Sequence, residues 1–173
     1  SLGMRPNGLI WAGEPGVALT GMDAVVNGCP VTPRTGFDVE INALWFNAIR
    51  FMQRMYSALG NPGEAERMAL LADRVQASFT ATFWLPQKGY LADYVDERGA
   101  NPFVRPNQLL AVSLPASPLT AEQQAGEFET VRRELYTPLG LRTLSPKNPS
   151  YHPHYEGGQV ARDEAYHQGT IWP

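Results

Sequence analysis

Cysteine is nearly absent from this chain of 173 residues. Cys29 stands alone, so no disulfide can form within the chain, a composition compatible with the cytoplasm. Apolar runs are short: none approaches the roughly 20 residues needed to span a bilayer. The opening residues Ser1-Leu2-Gly3-Met4-Arg5 hold no apolar signal core. Basic residues form no stripe and the net charge is −3, which argues against a nucleic-acid partner. Histidine is scarce too, with three in the chain. His152-Pro153-His154 has no further His or Cys to complete a metal site, and Pro153 disfavours helical ligand spacing. There is no glycine loop ending in Lys and Ser or Thr for a phosphate. Cys29, beside Pro30, has no neighbouring base for nucleophilic work. No cofactor or metal is expected.

Proline and glycine, by contrast, are plentiful, at 15 and 16 residues. They fall between periodic segments and so punctuate helices rather than signal disorder. Residues 1–37 read as loops and short extended pieces, with turns at Gly13-Glu14-Pro15-Gly16 and Asn27-Gly28-Cys29-Pro30. A long helix is predicted from Asp38 to Leu59, with Ile41, Leu44, Trp45, Ala48, Phe51, Met52, Met55 and Leu59 at helical spacing. A second starts at Asn61, with Pro62 in the first helical position and Glu64 three residues after the cap, and ends near Pro86. The short link makes the two an antiparallel hairpin. Gly89 to Val95 reads as a short strand. Further helices are predicted from Arg105-Pro106 and from Thr120, where Gln123 completes a capping box; residues 141–165 read as loop-rich.

Long loops on a helical scaffold tend to carry function, and one stretch has the chemistry for it. Thr20-Gly21-Met22-Asp23-Ala24, Pro30 to Gly36, and Val39 to Trp45 gather acids, an arginine, an asparagine and a tryptophan. Carboxylates beside aromatic rings suit a sugar site: two carboxyl groups flank the bond that is cleaved, about 6.5–9.5 Å apart in an inverting enzyme. On the residues alone Asp23 reads more readily as a turn or helix cap than as a catalytic acid, and Glu40 equally as an acid suited to the first turn of its helix or as a contact to a sugar hydroxyl. Trp11, in a loop, suits stacking on a pyranose face, whereas Trp45 fits the apolar spacing of its helix. Glu14 is a loop acid placed to hold a hydroxyl or orient Arg34. Arg34 and Arg105, both beside proline, suit forked contacts to hydroxyls or a carboxylate, Arg105 reading more as a structural ion pair. Asn42, near Glu40, suits a contact to a sugar hydroxyl, and Asn107 and Gln108 carry amides for hydroxyl or loop-backbone contacts.

Several separated motifs, in order, carry a family resemblance. Gly8-Leu9-Ile10-Trp11-Ala12-Gly13-Glu14, Thr20 to Ala24, Val31 to Gly36, Val39 to Trp45, Arg105-Pro106-Asn107-Gln108, Thr137 to Leu144, and Tyr166-His167-Gln168-Gly169-Thr170-Ile171-Trp172-Pro173 resemble the glucosidase domain of glycogen debranching enzymes. The resemblance implies an all-α fold, a partial (α/α)6 toroid of helical hairpins with long loops and short strands at one end, in a single domain over residues 1–173. It implies hydrolysis, with inversion, of the α-1,6-linked glucose at branch points of glycogen or a similar α-glucan. It makes Asp23 the general acid, matching the Asp of the family's Trp-Met-Asp motif, and His167 and Gln168 contacts to sugar hydroxyls. The family's Trp is replaced by Gly21. The matching general base is a Glu beyond the segment ending at Pro173, and the helices fall well short of a closed ring. The chain is therefore expected to be a fragment, inactive by itself. Helix faces bearing Phe51, Met55, Leu71 and Leu110 are expected to find cover in a dimer, a domain swap or a rearranged loop. Two other readings remain open: a trehalase- or glucoamylase-like hydrolase, and a non-catalytic glycan-binding module.

Overall fold

A computed structural model describes residues 2–14 and 16–172; Ser1, Pro15 of the Gly13–Gly16 turn, and Pro173 of the last motif lie outside the described residues. Its centre is a helical hairpin. Helix α1 spans Val39–Ala58 and α2 spans Pro62–Phe83. The side chain of Asn61 accepts from the Glu64 N–H at 3.3 Å, and Pro62 occupies a position whose N–H has no helical partner. Asp38 precedes α1 in extended conformation but makes no side-chain cap; its carboxylate turns to Arg34 instead.

The core lies between the helices and the chain that crosses them. Val39, Ala43, Phe46 and Ile49 of α1 pack with Ala72, Val75, Phe79 and Phe83 of α2, closed by Leu9, Leu91, Ala111 and Leu119. The apolar stripe read from the sequence of α1 is largely its outer face: Leu44, Phe51, Met52, Met55 and Leu59 are exposed, with Phe51 at 53% and Leu59 at 73%. Only Trp45 of that stripe turns inward, donating from its indole to the Gly8 carbonyl at 3.0 Å. The helix carries two apolar stripes, and the position of α2 decides which one is buried.

The rest is not all-α. The described residues form five small antiparallel sheets, so the chain is a mixed α/β structure, and the expectation of an all-α partial (α/α)6 toroid is overturned. Gly3–Met4 pairs with Ile10–Trp11, Val25–Val26 with Cys29–Pro30, and Trp84–Leu85 with Tyr90–Leu91. Two three-stranded sheets join Phe37–Asp38, Tyr94–Asp96 and Gly99–Asn101, and Tyr136–Thr137, Gly140–Arg142 and Ile171–Trp172. The physical reason is backbone satisfaction: buried N–H and C=O groups of long connections must pair, and adjacent extended pieces do so as ladders. Asn27-Gly28, with φ of 49° and 76°, is the left-handed pair that a tight hairpin turn requires.

Short helices complete the chain. Pro106–Leu109 is a 3₁₀ turn running into α3, Leu110–Ser113. Helix α4, Ala121–Glu134, starts from the capping box of Thr120 and Gln123. Helix α5, Gln159–Ala165, lies in a stretch that the sequence presents as loop and packs near Val25–Val26. None of the helices in the described residues is long and apolar enough to cross a membrane.

Because α1 and α2 run antiparallel, the start of α1 and the end of α2 share one end of the hairpin. The strands Phe37–Asp38 and Trp84–Leu85 extend from that end, which gathers the loops discussed next. Gly36 is essential to this junction: with φ of +148°, a Cβ there would lie 2.3 Å from the Val95 carbonyl oxygen.

Candidate active site

Two buried arginines dominate this end of the molecule. Arg34, 5% exposed, donates from Nη2 to Glu40 Oε2 at 2.7 Å and from Nη1 to Glu40 Oε1, a bidentate pair. Its other edge meets Asp93, with Nη2 to Oδ1 at 3.2 Å and Nε to Oδ2 at 3.2 Å. Arg105, 3% exposed, lies 3.7 Å from Asp93 Oδ2 through Nε. Its guanidinium donates to the carbonyls of Thr143, at 3.0 Å, and His167, and to Gln168 Oε1 at 2.8 Å.

The electrostatics follow from burial. Desolvation works against the charge of Arg34, but Asp93 and Glu40 outweigh it, and its pKa is raised. Burial lowers Arg105 against the pull of Asp93. Burial likewise raises Asp38 to about 7, Arg34 pulling it down and the Glu40 and Asp93 charges adding to the rise. Neither oxygen of Asp38 has a hydrogen-bond partner among the described residues. Three carboxylates thus face two guanidiniums, and burial makes Asp38 easier to protonate than an ordinary carboxylate.

Beside this cluster opens a cavity of about 360 Å³, walled by Gly21, Met22, Glu40, Pro106, Asn107, Thr143, Tyr166 and His167. A smaller cavity of about 180 Å³ lies across Met22 and is lined by Thr32, Arg34, Asp93, Tyr94, Arg105 and Gln168 among others. His167 is held neutral: burial and the Arg105 charge lower its pKa to about 4, against the pull of Asp23. Its Nε2 is buried without a hydrogen-bond partner among the described residues. The ring packs edge-on against Tyr166, with centroids 4.5 Å apart. Gly21 leaves open space in the wall, where an added Cβ would meet nothing within 4 Å.

The sequence candidates divide accordingly. Glu40, Asn107 and His167 line the larger cavity, and Arg34, Arg105 and Gln168 the smaller one. Asp23 is exposed, next to the wall residue Met22 and within electrostatic reach of His167. Asn42 and Gln108 are fully buried and committed to backbone. Asn42 accepts from the Ile10 N–H at 2.7 Å and donates to the carbonyls of Ile10 at 3.0 Å and Asp38 at 2.9 Å. Gln108 accepts from the Arg105 N–H and donates to the Leu91 and Phe103 carbonyls. Trp11 packs edge-on against Phe37 at 5.1 Å, with the Arg5 guanidinium 5.3 Å over its ring. Glu14 is exposed in its loop, and Arg34 takes Glu40 rather than Glu14 as its partner. Asp93 escapes the sequence reading, as do the wall residues Thr143 and Tyr166. The available signal for Asp93 is indirect: two arginines bound for the interior need carboxylates, and Asp93 lies in an alternating segment that can turn one inward. Among the described residues no cluster of three His, Cys, Asp or Glu side chains is arranged to hold a metal ion.

Comparison with known proteins matches all of residues 1–173 to the amylo-alpha-1,6-glucosidase family. This chain belongs to that family. It is also similar to the glycogen debranching enzyme of Saccharomyces cerevisiae, at 30% identity over 184 aligned residues. That match takes in 84% of this chain and 12% of the yeast protein, so the chain spans a small part of its relative. The amylo-alpha-1,6-glucosidase match runs through every segment that walls the two cavities.

Proposed function

We propose that this chain forms part of the sugar site of a glycoside hydrolase that releases α-1,6-linked glucose at branch points of glycogen or a related α-glucan, in the cytoplasm. One observation carries the reading: five segments far apart in sequence, holding Gly21-Met22, Glu40, Pro106-Asn107, Thr143 and Tyr166-His167, meet around one cavity. A pocket with an apolar wall and a few convergent polar groups is the usual form of a small-molecule site.

In this reading Asp23, on the rim, donates the proton to the leaving oxygen. Asn107 and the neutral His167, both in the wall, meet sugar hydroxyls. Glu40 is engaged on Arg34 and serves as a positioner, so we assign the water-activating carboxylate to no residue of this chain. Inversion is the expected outcome for a base set across the cavity with room for water.

The test is titration calorimetry of the chain with an α-1,6-branched maltooligosaccharide, together with glucose release from a branched limit dextrin. Saturable binding that Asn107→Ala and His167→Ala weaken at least tenfold is expected, with negligible glucose release. Equal binding by wild type and both variants would refute the site. Clear glucose release by this chain alone would refute the assignment of the base.

A further inference from the structure

Asp93 belongs to neither the sequence candidates nor the wall of the larger cavity, yet most of that wall hangs from it. Its carboxylate, 1% exposed, has three partners: Arg34, Arg105 and the Asn107 amide, which donates to Oδ1 at 2.8 Å. Each partner continues to the wall. Arg34 clamps both oxygens of Glu40. Arg105 holds the carbonyls of Thr143 and His167. Asn107 is itself in the wall and also lies 3.3 Å from the sulfur of Met22, the residue before Asp23. Glu40, Thr143, His167, Asn107 and Met22, five of the eight wall residues, are thus Asp93's own partners or the next link from them.

The chemistry suits a single centre. A carboxylate has about four acceptor positions on two oxygens and can serve two guanidiniums and an amide together. A guanidinium presents donors in a fixed plane, so fixing one edge fixes what the other edge holds. The two arginines come from segments 71 residues apart, and without an anion between them their charges would repel.

We propose that Asp93 is the positioning residue of this site: one buried carboxylate, acting through Arg34, Arg105 and Asn107, sets Glu40, His167 and Met22 in place around the larger cavity. The proposal rests on the functional reading for its consequence and on geometry for its content. Asp93 acts on substrate only through these partners, so its loss is expected to change how the wall is held rather than remove a group from it.

The test follows the His167 imidazole by NMR as pH is varied, in the 173-residue chain, with the signal assigned by comparison with His167→Gln. In the wild type His167 titrates at about 4, held there by burial and by Arg105, with Asp23 and Arg34 the other charges acting on it. In Asp93→Asn, with folding checked by circular dichroism, the altered setting of Arg105 and of the ring is expected to move that midpoint by at least one pH unit. The branched oligosaccharide should bind at least tenfold more weakly. An unchanged His167 midpoint in a folded Asp93→Asn protein overturns the proposal. If Asp93→Asn does not fold, the wild type decides: the Nε–H signals of Arg34 and Arg105 are expected to exchange slowly with solvent, and fast exchange of both overturns it. A moved His167 midpoint with no oligosaccharide binding by the wild type supports the positioning role and counts against the glucosidase reading instead.

Discussion

Glu127→Gln is expected to leave stability almost unchanged at acid pH and to raise it at alkaline pH. Glu127 lies on α4 with its side chain fully buried. Its Oε2 accepts from the Leu91 N–H at 2.7 Å, and Oε1 has no partner among the described residues. Burial raises its pKa from 4.5 to about 7, only partly offset by the Leu91 hydrogen bond. The folded protein therefore holds this proton more tightly than the unfolded chain. The stability that results is fully present below about pH 4.5 and is lost as pH rises through about 7. At 1.36 kcal/mol per pH unit of displacement, the loss by pH 9 is about 3 kcal/mol, a large part of the 5–15 kcal/mol typical of a domain. Glutamine keeps an oxygen for Leu91 and never ionises. A protonated Glu127 and a glutamine each leave a buried donor without a partner, so the two proteins should be about equally stable at pH 4.5. By pH 9 the variant should be more stable by about 3 kcal/mol. Urea titrations followed by circular dichroism at the two pH values measure this. Asp38, which moves in the same direction, is common to both proteins and cancels in the difference. Parallel pH dependence in the two proteins would show that Glu127 is not the buried acid responsible.

Three further outcomes are expected. Gly36→Ala should destabilise the chain by about 2 kcal/mol or more, since it combines a φ of +148° with a Cβ driven onto the Val95 carbonyl; thermal unfolding checks it. Asn42→Ala should cost about 2–4 kcal/mol by removing three hydrogen bonds that tie Ile10 and Asp38 to α1, and a loss below about 0.5 kcal/mol in urea titrations would contradict that role. Gly21→Trp should leave stability within about 0.5 kcal/mol of the wild type, because the position is exposed and open, and calorimetry should show tighter binding of the branched oligosaccharide through the added ring; a large loss of stability would contradict the open space in the wall.

What the sequence discloses here depends on how local the cause is. The starts of α2 and α4 are legible because Asn61-Pro62-Glu64 and Thr120–Gln123 settle their own backbone hydrogen bonds within one turn. The burial of α1 is not, because its two apolar stripes differ only in what packs against them. Gly89 to Val95 reads as extended and holds strand residues Tyr90–Leu91 and the start of Tyr94–Asp96, but the other strands escape because two or three residues are too short to display alternation, and partners lie up to tens of residues away, as when Phe37 pairs with Val95. At the site, motif residues such as Glu40, Asn107 and His167 come together around the cavity, whereas Asn42 and Gln108, equally polar and in the same motifs, spend their amides on backbone. Amide type and spacing are the same in both roles, and only the depth of the side chain separates them. Asp93 was hidden for the same reason: its meaning lies in two arginines, one of them 59 residues away.

That separation also bears on the order in which the chain folds. The α1–α2 hairpin closes through a three-residue link and draws on local contacts, which form early because little loop entropy is lost. The Arg34–Asp93 pair spans 59 residues and the Arg105–Gln168 pair 63, so both must await long-range closure. A guanidinium buried ahead of its carboxylate is strongly disfavoured. The charged centre is therefore expected to form after the hairpin, on a helical base already in place.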